Sequence, residues 1–315
     1  MRLSGFRGNL NIKRTNLQLE FDDNKIREWI KCKNDPIYFI ETYMSIINAD
    51  GEECLFKLYD YQKDIILSYK ENRRTIVGTA RQAGKSTTTA GFIVWFIIFH
   101  KNKNVAILAN KALTAMEILN RVQYAYERLP KWLQHGVVSW NKTEFTLENG
   151  SRVFSRATSK DSIRGYTVHF LFIDEAAHIE NWEEFYTASS QTMASGKKTK
   201  IAMVSTPNGL NHFYDFWHGA ETKKNGFNPI KVVWTMIPGR DEAWKQNTLQ
   251  ELNFDYQRFS QEHEMEFIGS SGTLIAGWKL QQMFPSIPIY EDQNGLKKYF
   301  EVQKKNIYAM VCDVS

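Results

Sequence analysis

Gly84-Lys85-Ser86 leaves the apolar run Thr75-Ile76-Val77-Gly78 and opens a further apolar stretch, an arrangement of residue types that can hold a triphosphate. At such a strand-to-helix turn, backbone N–H groups and the helix N-terminus attract anionic oxygens. The lysine ammonium reaches the outer phosphates, and the serine hydroxyl ligates Mg2+. The loop Thr79-Ala80-Arg81-Gln82-Ala83-Gly84-Lys85-Ser86 departs from the common pattern of a glycine, four further residues and Gly-Lys-Ser/Thr. Thr79 stands where the first glycine is wanted, Gly78 comes one position early, and Arg81 lies inside the loop. ATP contacts are expected from Arg81, Gln82, Ala83, Gly84, Lys85, Ser86 and Thr87, with Ser86 also a Mg2+ ligand.

The run His169-Phe170-Leu171-Phe172-Ile173 ends in Asp174-Glu175. An acidic pair at the carboxyl end of a buried strand is where a phosphate-loop ATPase keeps its metal-holding aspartate and water-polarising glutamate. Asp174 is expected to hold Mg2+ through water, and Glu175 to orient and partly deprotonate the attacking water. Such a pair also caps helices; the company of Gly84-Lys85-Ser86 favours the ATP site. Ser205-Thr206-Pro207-Asn208-Gly209 closes another apolar run, where hydroxyls can sense the outer phosphate and pass its state through the turn. An ordinary turn has the same composition. Upstream, Gln62 in Tyr59-Asp60-Tyr61-Gln62-Lys63-Asp64 carries an amide able to bond an adenine edge through one donor and one acceptor. Two arginines compete to neutralise charge on the transferred phosphoryl group. Arg81 would act within its own subunit, and Arg164, in Asp161-Ser162-Ile163-Arg164-Gly165, on a neighbouring subunit's nucleotide. Each has the alternative of an ion pair or a DNA contact.

These residues need a scaffold, and the pattern around them supplies one. Short apolar strands at 74–78, 104–109, 168–173, 200–205 and 229–235 alternate with helices at 85–100, 112–128, 182–194 and 210–221. Continuously apolar strands separated by helices predict an α/β fold, a mainly parallel sheet flanked by helices. Segments 142–147 and 152–156 flank Glu148-Asn149-Gly150-Ser151, a hairpin signal. From 17 to 51 the alternation of charged and apolar positions suits amphipathic helices, and 59–70 continues as a helix. Helices return at 242–252 and 255–267, followed by a hinge candidate, Gly269-Ser270-Ser271-Gly272. The expected division is an N-terminal helical appendage or lid (1–58), an ATPase core (59–240), a helical lid and linker (241–305), and the start of a further domain (306–315).

The 315 residues carry a formal charge of +5, compatible with a polyanionic partner without demanding one. Cys32, Cys54 and Cys312 lack metal-ligand spacing and suit unpaired thiols in a reducing compartment. The longest apolar stretch, 90–99, is too short for a bilayer, so no membrane span is expected, nor does the N-terminus read as a secretory signal. Trp95, Trp132, Trp182 and Trp217 read as core, and His169 and His178 flank the acidic pair without metal spacing.

Tyr61-Gln62, the loop Ala80 to Ser86, Ile173-Asp174-Glu175-Ala176-Ala177 and Ser205-Thr206-Pro207-Asn208-Gly209-Leu210-Asn211-His212-Phe213-Tyr214 together resemble the ATPase half of the large terminase subunit of tailed bacteriophages, especially contractile-tailed ones. Ser162-Ile163-Arg164-Gly165 and Glu264-Met265-Glu266-Phe267-Ile268-Gly269 look like that family too. The resemblance implies a phosphate-loop ATPase of the additional-strand, catalytic-glutamate type with a small helical lid, and makes an arginine-containing variant loop expected. It implies ATP and Mg2+ as cofactors, and hydrolysis that drives double-stranded DNA into a procapsid. The implied partners are the portal protein, the small terminase subunit and further copies in a ring, in the host cytoplasm and transiently at the portal. Gln62 would read adenine, Glu175 activate water, and Ser205, Thr206 and Pro207 couple hydrolysis to movement. Tyr308-Ala309-Met310-Val311-Cys312-Asp313 looks like the first strand of the family's RNase H-like nuclease domain. The remaining acidic ligands are not in this chain, so no DNA cutting is expected of it. A helicase would need a second motor domain, which nothing after Pro238 supplies; a nucleotide-gated DNA-binding module with little turnover is the other alternative.

Overall fold

The computed structural model describes residues 5–194, 198–268, 289–291 and 297–298. The chain divides into two compact units, Met1–Ile268 and Gly269–Ser315. The first begins with α1 (Asp23–Asn34), α2 (Pro36–Tyr43), β1 (Ser45–Ile47), β2 (Glu53–Leu55), α3 (Asp60–Glu71), β3 (Arg74–Thr79), α4 (Lys85–Phe99), β4 (Asn104–Ala109) and α5 (Ala112–Arg128). It continues through β5 (Val137–Trp140), β6 (Glu144–Leu147), β7 (Arg152–Ala157), β8 (Phe170–Asp174), α6 (Trp182–Ala194), β9 (Lys200–Ser205), α7 (His212–Glu221), β10 (Asn228–Val232), α8 (Glu242–Glu251) and α9 (Tyr256–His263). In the second unit, β11 (Tyr290–Glu291) pairs antiparallel with β12 (Lys297–Lys298).

Eight strands form one sheet in the order β10-β3-β9-β8-β4-β7-β6-β5. The first six run parallel, and β6 and β5 extend the edge antiparallel. Helical crossovers cover both faces, so the strands alternate between two cores instead of between core and water. Val77, Val105, Ile107, Phe170, Phe172, Ala202 and Val204 face the core shared with α1 to α5. Ile76, Ala106, Leu108, Leu171, Ile173, Ile201 and Met203 face the core holding Trp182, Phe185, Phe213 and Trp217 of α6 and α7. A small third cluster of Trp234, Leu249 and Phe259 joins α8 to α9.

Helix α4 is buried from Thr88 to Phe99, which explains a ten-residue apolar run without membrane-spanning length; no described helix is long and apolar enough to cross a membrane. Beyond the sheet it packs on α2, α3 and α5. Trp29 of α1 and Phe39 of α2 set their rings 4.9 and 5.3 Å from Phe99. The Trp95 indole N–H donates to the Cys32 carbonyl at 2.9 Å.

The predicted core elements stand, with local differences. Two features were not anticipated. Segment 17–51 is not helical throughout, because the β-branched Ile46-Ile47 pair with β2 around a turn in which Asn48 Oδ1 accepts from Asp50 and Glu52. The hairpin gains a third strand, β5, against β6. Helix 210–221 starts only at His212: Gly209 is left-handed (φ 70°), and Asn211 caps the helix. Strand 229–235 ends at Val232, and a 3-10 turn takes Trp234–Met236. Strand 168–173 is shifted to Phe170–Asp174, and helix 255–267 ends at His263. Cys32 is buried and Cys54 exposed, both as free thiols. Trp95, Trp182 and Trp217 are core residues. The hinge candidate Gly269–Gly272, the nuclease-like strand before Asp313, and Cys312 lie outside the described residues.

Candidate active site

Strand order places the motifs side by side. β9 lies between β3 and β8, with Gly78 opposite Ser205 and Asp174 opposite Val204. The loop after β3, Asp174 at the end of β8 and Ser205 at the end of β9 therefore share one carboxyl edge of the parallel sheet, the edge where α/β folds bind ligands.

The variant loop is explained by where it bends. Thr79 stays in the strand, fully buried, and Ala80 N–H still donates to Val232 in β10 at 2.7 Å. The bends fall later, at Gln82 (φ 58°) and Gly84 (φ 70°), so no glycine is needed at 79. A Cβ on Gly84 would stand 2.8 Å from the Gln62 amide nitrogen, so any other residue there would also push that amide aside. Gly84 brings no side chain to cap α4, and the N–H groups of Lys85, Ser86 and Thr87 are left for an anion.

Asp174 is the hub. Its Oδ1 lies 3.0 Å from Lys85 Nζ and accepts the Glu175 N–H at 3.0 Å, and its Oδ2 accepts from Ser86 Oγ at 3.4 Å. The aspartate side chain is 3% exposed and that of the lysine 19%. A hydroxyl and a carboxylate meeting at one point are hard oxygen donors suited to Mg2+, which completes its shell with water and phosphate oxygens. Lys85, paired with Asp174, stands where it can exchange that partner for a phosphate.

Glu175 is exposed, with left-handed backbone (φ 50°, ψ 42°), a conformation that strains a non-glycine residue and recurs at functional sites. The 3-10 turn Ala176–His178 follows. Ser205 Oγ accepts the Ala177 N–H at 3.1 Å. Thr206 is half-buried and Pro207 buried beside it. His178 is half-buried; burial holds its pKa below the ordinary imidazole value, with Glu175 raising it and Lys85 and Arg81 lowering it.

The upstream helix buttresses the loop. The Tyr61 hydroxyl donates to the Ala83 carbonyl at 3.0 Å, and burial pushes its pKa up to about 12. Gln62 is buried; its Oε1 accepts the Tyr59 N–H at 3.0 Å, and its Nε2 approaches Ala83 O at 3.5 Å. Thr87 Oγ1 accepts from Arg121 at 3.2 Å, beside a cavity of about 370 Å³ lined by Met44, Ile46, Ile47, Thr87, Arg121 and Tyr124.

The two arginines point elsewhere. Arg81 Nη1 pairs with Glu262 of α9 at 3.2 Å, its N–H donates to the Glu262 carbonyl at 2.8 Å, and its own carbonyl accepts from Arg240 at 3.1 Å. Arg164 is exposed and pairs with Asp161 at 3.4 Å. Arg121, Arg240 and Glu262 were not anticipated, since isolated charges outside a motif leave no sequence signal. Asn211 and His212 had a weak one, belonging to the Ser205 to Tyr214 run.

Residues 76–282 match the family described as terminase large subunit, T4likevirus-type, N-terminal. The chain belongs to this family. The curated terminase large subunit of Thermus phage G20c is 25% identical over 275 residues, which cover 76% of this chain and 54% of that protein. This chain thus spans about half the length of the curated relatives it matches. The Thermus phage P74-26 large terminase ATPase domain superposes with a TM-score of 0.56 at 22% identity, over 67% of this chain and 94% of that one. The large terminase of another thermophilic bacteriophage, solved in complex with ADP, gives 0.54 at 13% identity, over 67% and 54%. These terminase likenesses establish the phosphate-loop ATPase fold, a mostly parallel sheet flanked by helices.

Proposed function

We propose that this terminase-family chain binds MgATP at the loop 80–87 and hydrolyses it to drive double-stranded DNA into a procapsid. The observation that carries the reading is the meeting of Lys85, Ser86 and the Glu175 N–H around the buried Asp174 carboxylate, at one edge of the parallel sheet. Ser86 and Asp174 would hold Mg2+, which when bound offsets phosphate charge. Lys85 binds the outer phosphates, and the N–H groups of Gln82 to Thr87 surround the chain of oxygens. Glu175 accepts a proton from the attacking water. Gln62, whose amide carries a second N–H and a second lone pair beyond its contacts to Tyr59 and Ala83, reads adenine.

Arg81 and Arg164 are the candidates for balancing transition-state charge. Arg81 must leave Glu262 to do so, and the more exposed Arg164 must leave Asp161 to reach a neighbouring copy. Ser205, Thr206 and Pro207 couple the site to the rest of the motor, since Ser205 already holds the turn after Glu175. Portal protein, small terminase subunit and a ring of copies are the proposed partners, at the portal in the host cytoplasm; DNA cutting is not proposed for these residues.

The test is phosphate release from MgATP by the chain, with and without double-stranded DNA. Release that DNA accelerates, and that Lys85→Ala abolishes, is expected. A chain that binds ATP yet releases no phosphate under either condition would overturn the reading in favour of a nucleotide-gated binding module.

A further inference from the structure

Glu175 occupies a strained backbone conformation at the exposed rim of the sheet, so its direction depends on what holds the neighbouring chain. The turn that follows is fastened to the segment after β9. The Ala177 carbonyl accepts from Asn211 Nδ2 at 2.7 Å and from Asn208 Nδ2 at 3.3 Å. The Ala176 carbonyl accepts from His212 Nε2 at 2.7 Å, which fixes the proton on that nitrogen. The His212 ring lies flat on Trp182 of α6, 4.5 Å away and 9° from parallel. Asn211 does a second task with its other atom: Oδ1 accepts the Phe213 N–H at 3.0 Å and caps α7.

We infer that Asn211 and His212 are positioning residues for Glu175, fixing the backbone from which its carboxylate projects and making α7 the element whose displacement moves it. Both donors reach main-chain carbonyls one and two residues beyond Glu175, and these carbonyls have no covalent freedom to follow a different path while the bonds persist. Helix α7 packs in turn on β3 and β10, and Trp217 approaches Gly78 just before the loop. The phosphate loop and the water-activating residue are therefore tied to the same helix. A donor that acts only on this backbone alters the chemical step and leaves nucleotide affinity alone.

The inference rests on the reading of Glu175 as the water-activating residue, and the experiment keeps the two apart. Steady-state MgATP hydrolysis and ADP binding are measured for the whole chain and for E175Q, N211D, H212F and H212Q. N211D keeps the acceptor that caps α7 and loses the donor; H212F keeps the stack on Trp182 and loses the donor; H212Q returns an N–H at similar reach. In N211D and H212F, kcat is expected to fall about tenfold, the size of one lost hydrogen bond at the reacting geometry, with KM and ADP affinity within about twofold. H212Q is expected to recover most of the loss. Parental kcat in both N211D and H212F, or a loss carried by KM, would overturn the inference while E175Q is inactive. Parental turnover in E175Q would overturn the underlying reading instead. If one variant fails to fold, the other decides by the same criterion, and failure of H212Q to exceed H212F also counts against the inference.

Discussion

At the scale of single residues, Asp174 is the one carboxylate that must be placed before anything else can work. Burial removes water from it, and a buried charge is tolerated only with partners. Lys85, Ser86 and the Glu175 N–H are those partners, so the same contacts that satisfy the aspartate assemble the site. Gly84 is the second fixed point, because its left-handed backbone strains any side chain and a Cβ there would also displace the nearby Gln62 amide. Gly84→Ala should cost about 1–3 kcal/mol of stability and weaken ATP binding; urea unfolding beside a nucleotide titration checks both, and a variant unchanged in each would contradict the assignment. Lys85, Ser86, Asp174 and Glu175 were legible in the sequence because their chemistry is written in consecutive residues at strand ends. Arg240 and Glu262 were not, since each meaning arises only when α9 folds back onto Arg81.

Among the elements, the segment from Arg240 to α9 holds the phosphate loop by all three groups of Arg81: its N–H, its carbonyl and its side chain. The Arg81–Glu262 pair is open to water on the arginine side, which is 61% exposed, so it contributes little to stability. Its consequence is competition, since an arginine held by a carboxylate is withheld from phosphate. Glu262→Ala is expected to tighten ATP binding severalfold while changing the unfolding free energy by less than about 1 kcal/mol. Isothermal titration gives the first quantity and urea unfolding the second; unchanged or weaker ATP binding would show that Glu262 does not compete. Continuous apolar strands and their crossover helices were readable because both faces of a parallel sheet are buried. The β1–β2 ribbon was not, being three residues per strand with mostly exposed side chains, too short for any periodicity to outweigh the neighbouring helices.

Over the whole molecule, the charge state of histidine links stability to acidity. Six of the seven histidines have pKa values lowered by burial: His100, His135, His169, His178, His212 and His263. Their folded forms resist protonation, so the unfolded chain takes up protons first as pH falls below about 6.5 and gains stability relative to the fold. The urea midpoint is expected to be lower at about pH 5.5 than at about pH 7.5; an equal or higher midpoint in acid would mean that burial of these rings does not disfavour their charge. The two-core sheet architecture followed from strand composition, whereas the attachment of α1 and α2 to the far end of α4 depends on ring contacts such as Trp29 with Phe99 that no local pattern encodes.

Glu175 stands at the rim of a sheet in which β3 and β8, on either side of β9, deliver Lys85, Ser86 and Asp174, and its proposed role is to activate water for attack on ATP. Phosphate release from saturating MgATP by E175Q, measured beside the parent chain, tests it most directly. A fall of about a hundredfold or more, with ATP still bound, is expected. Release at the parental rate would contradict it.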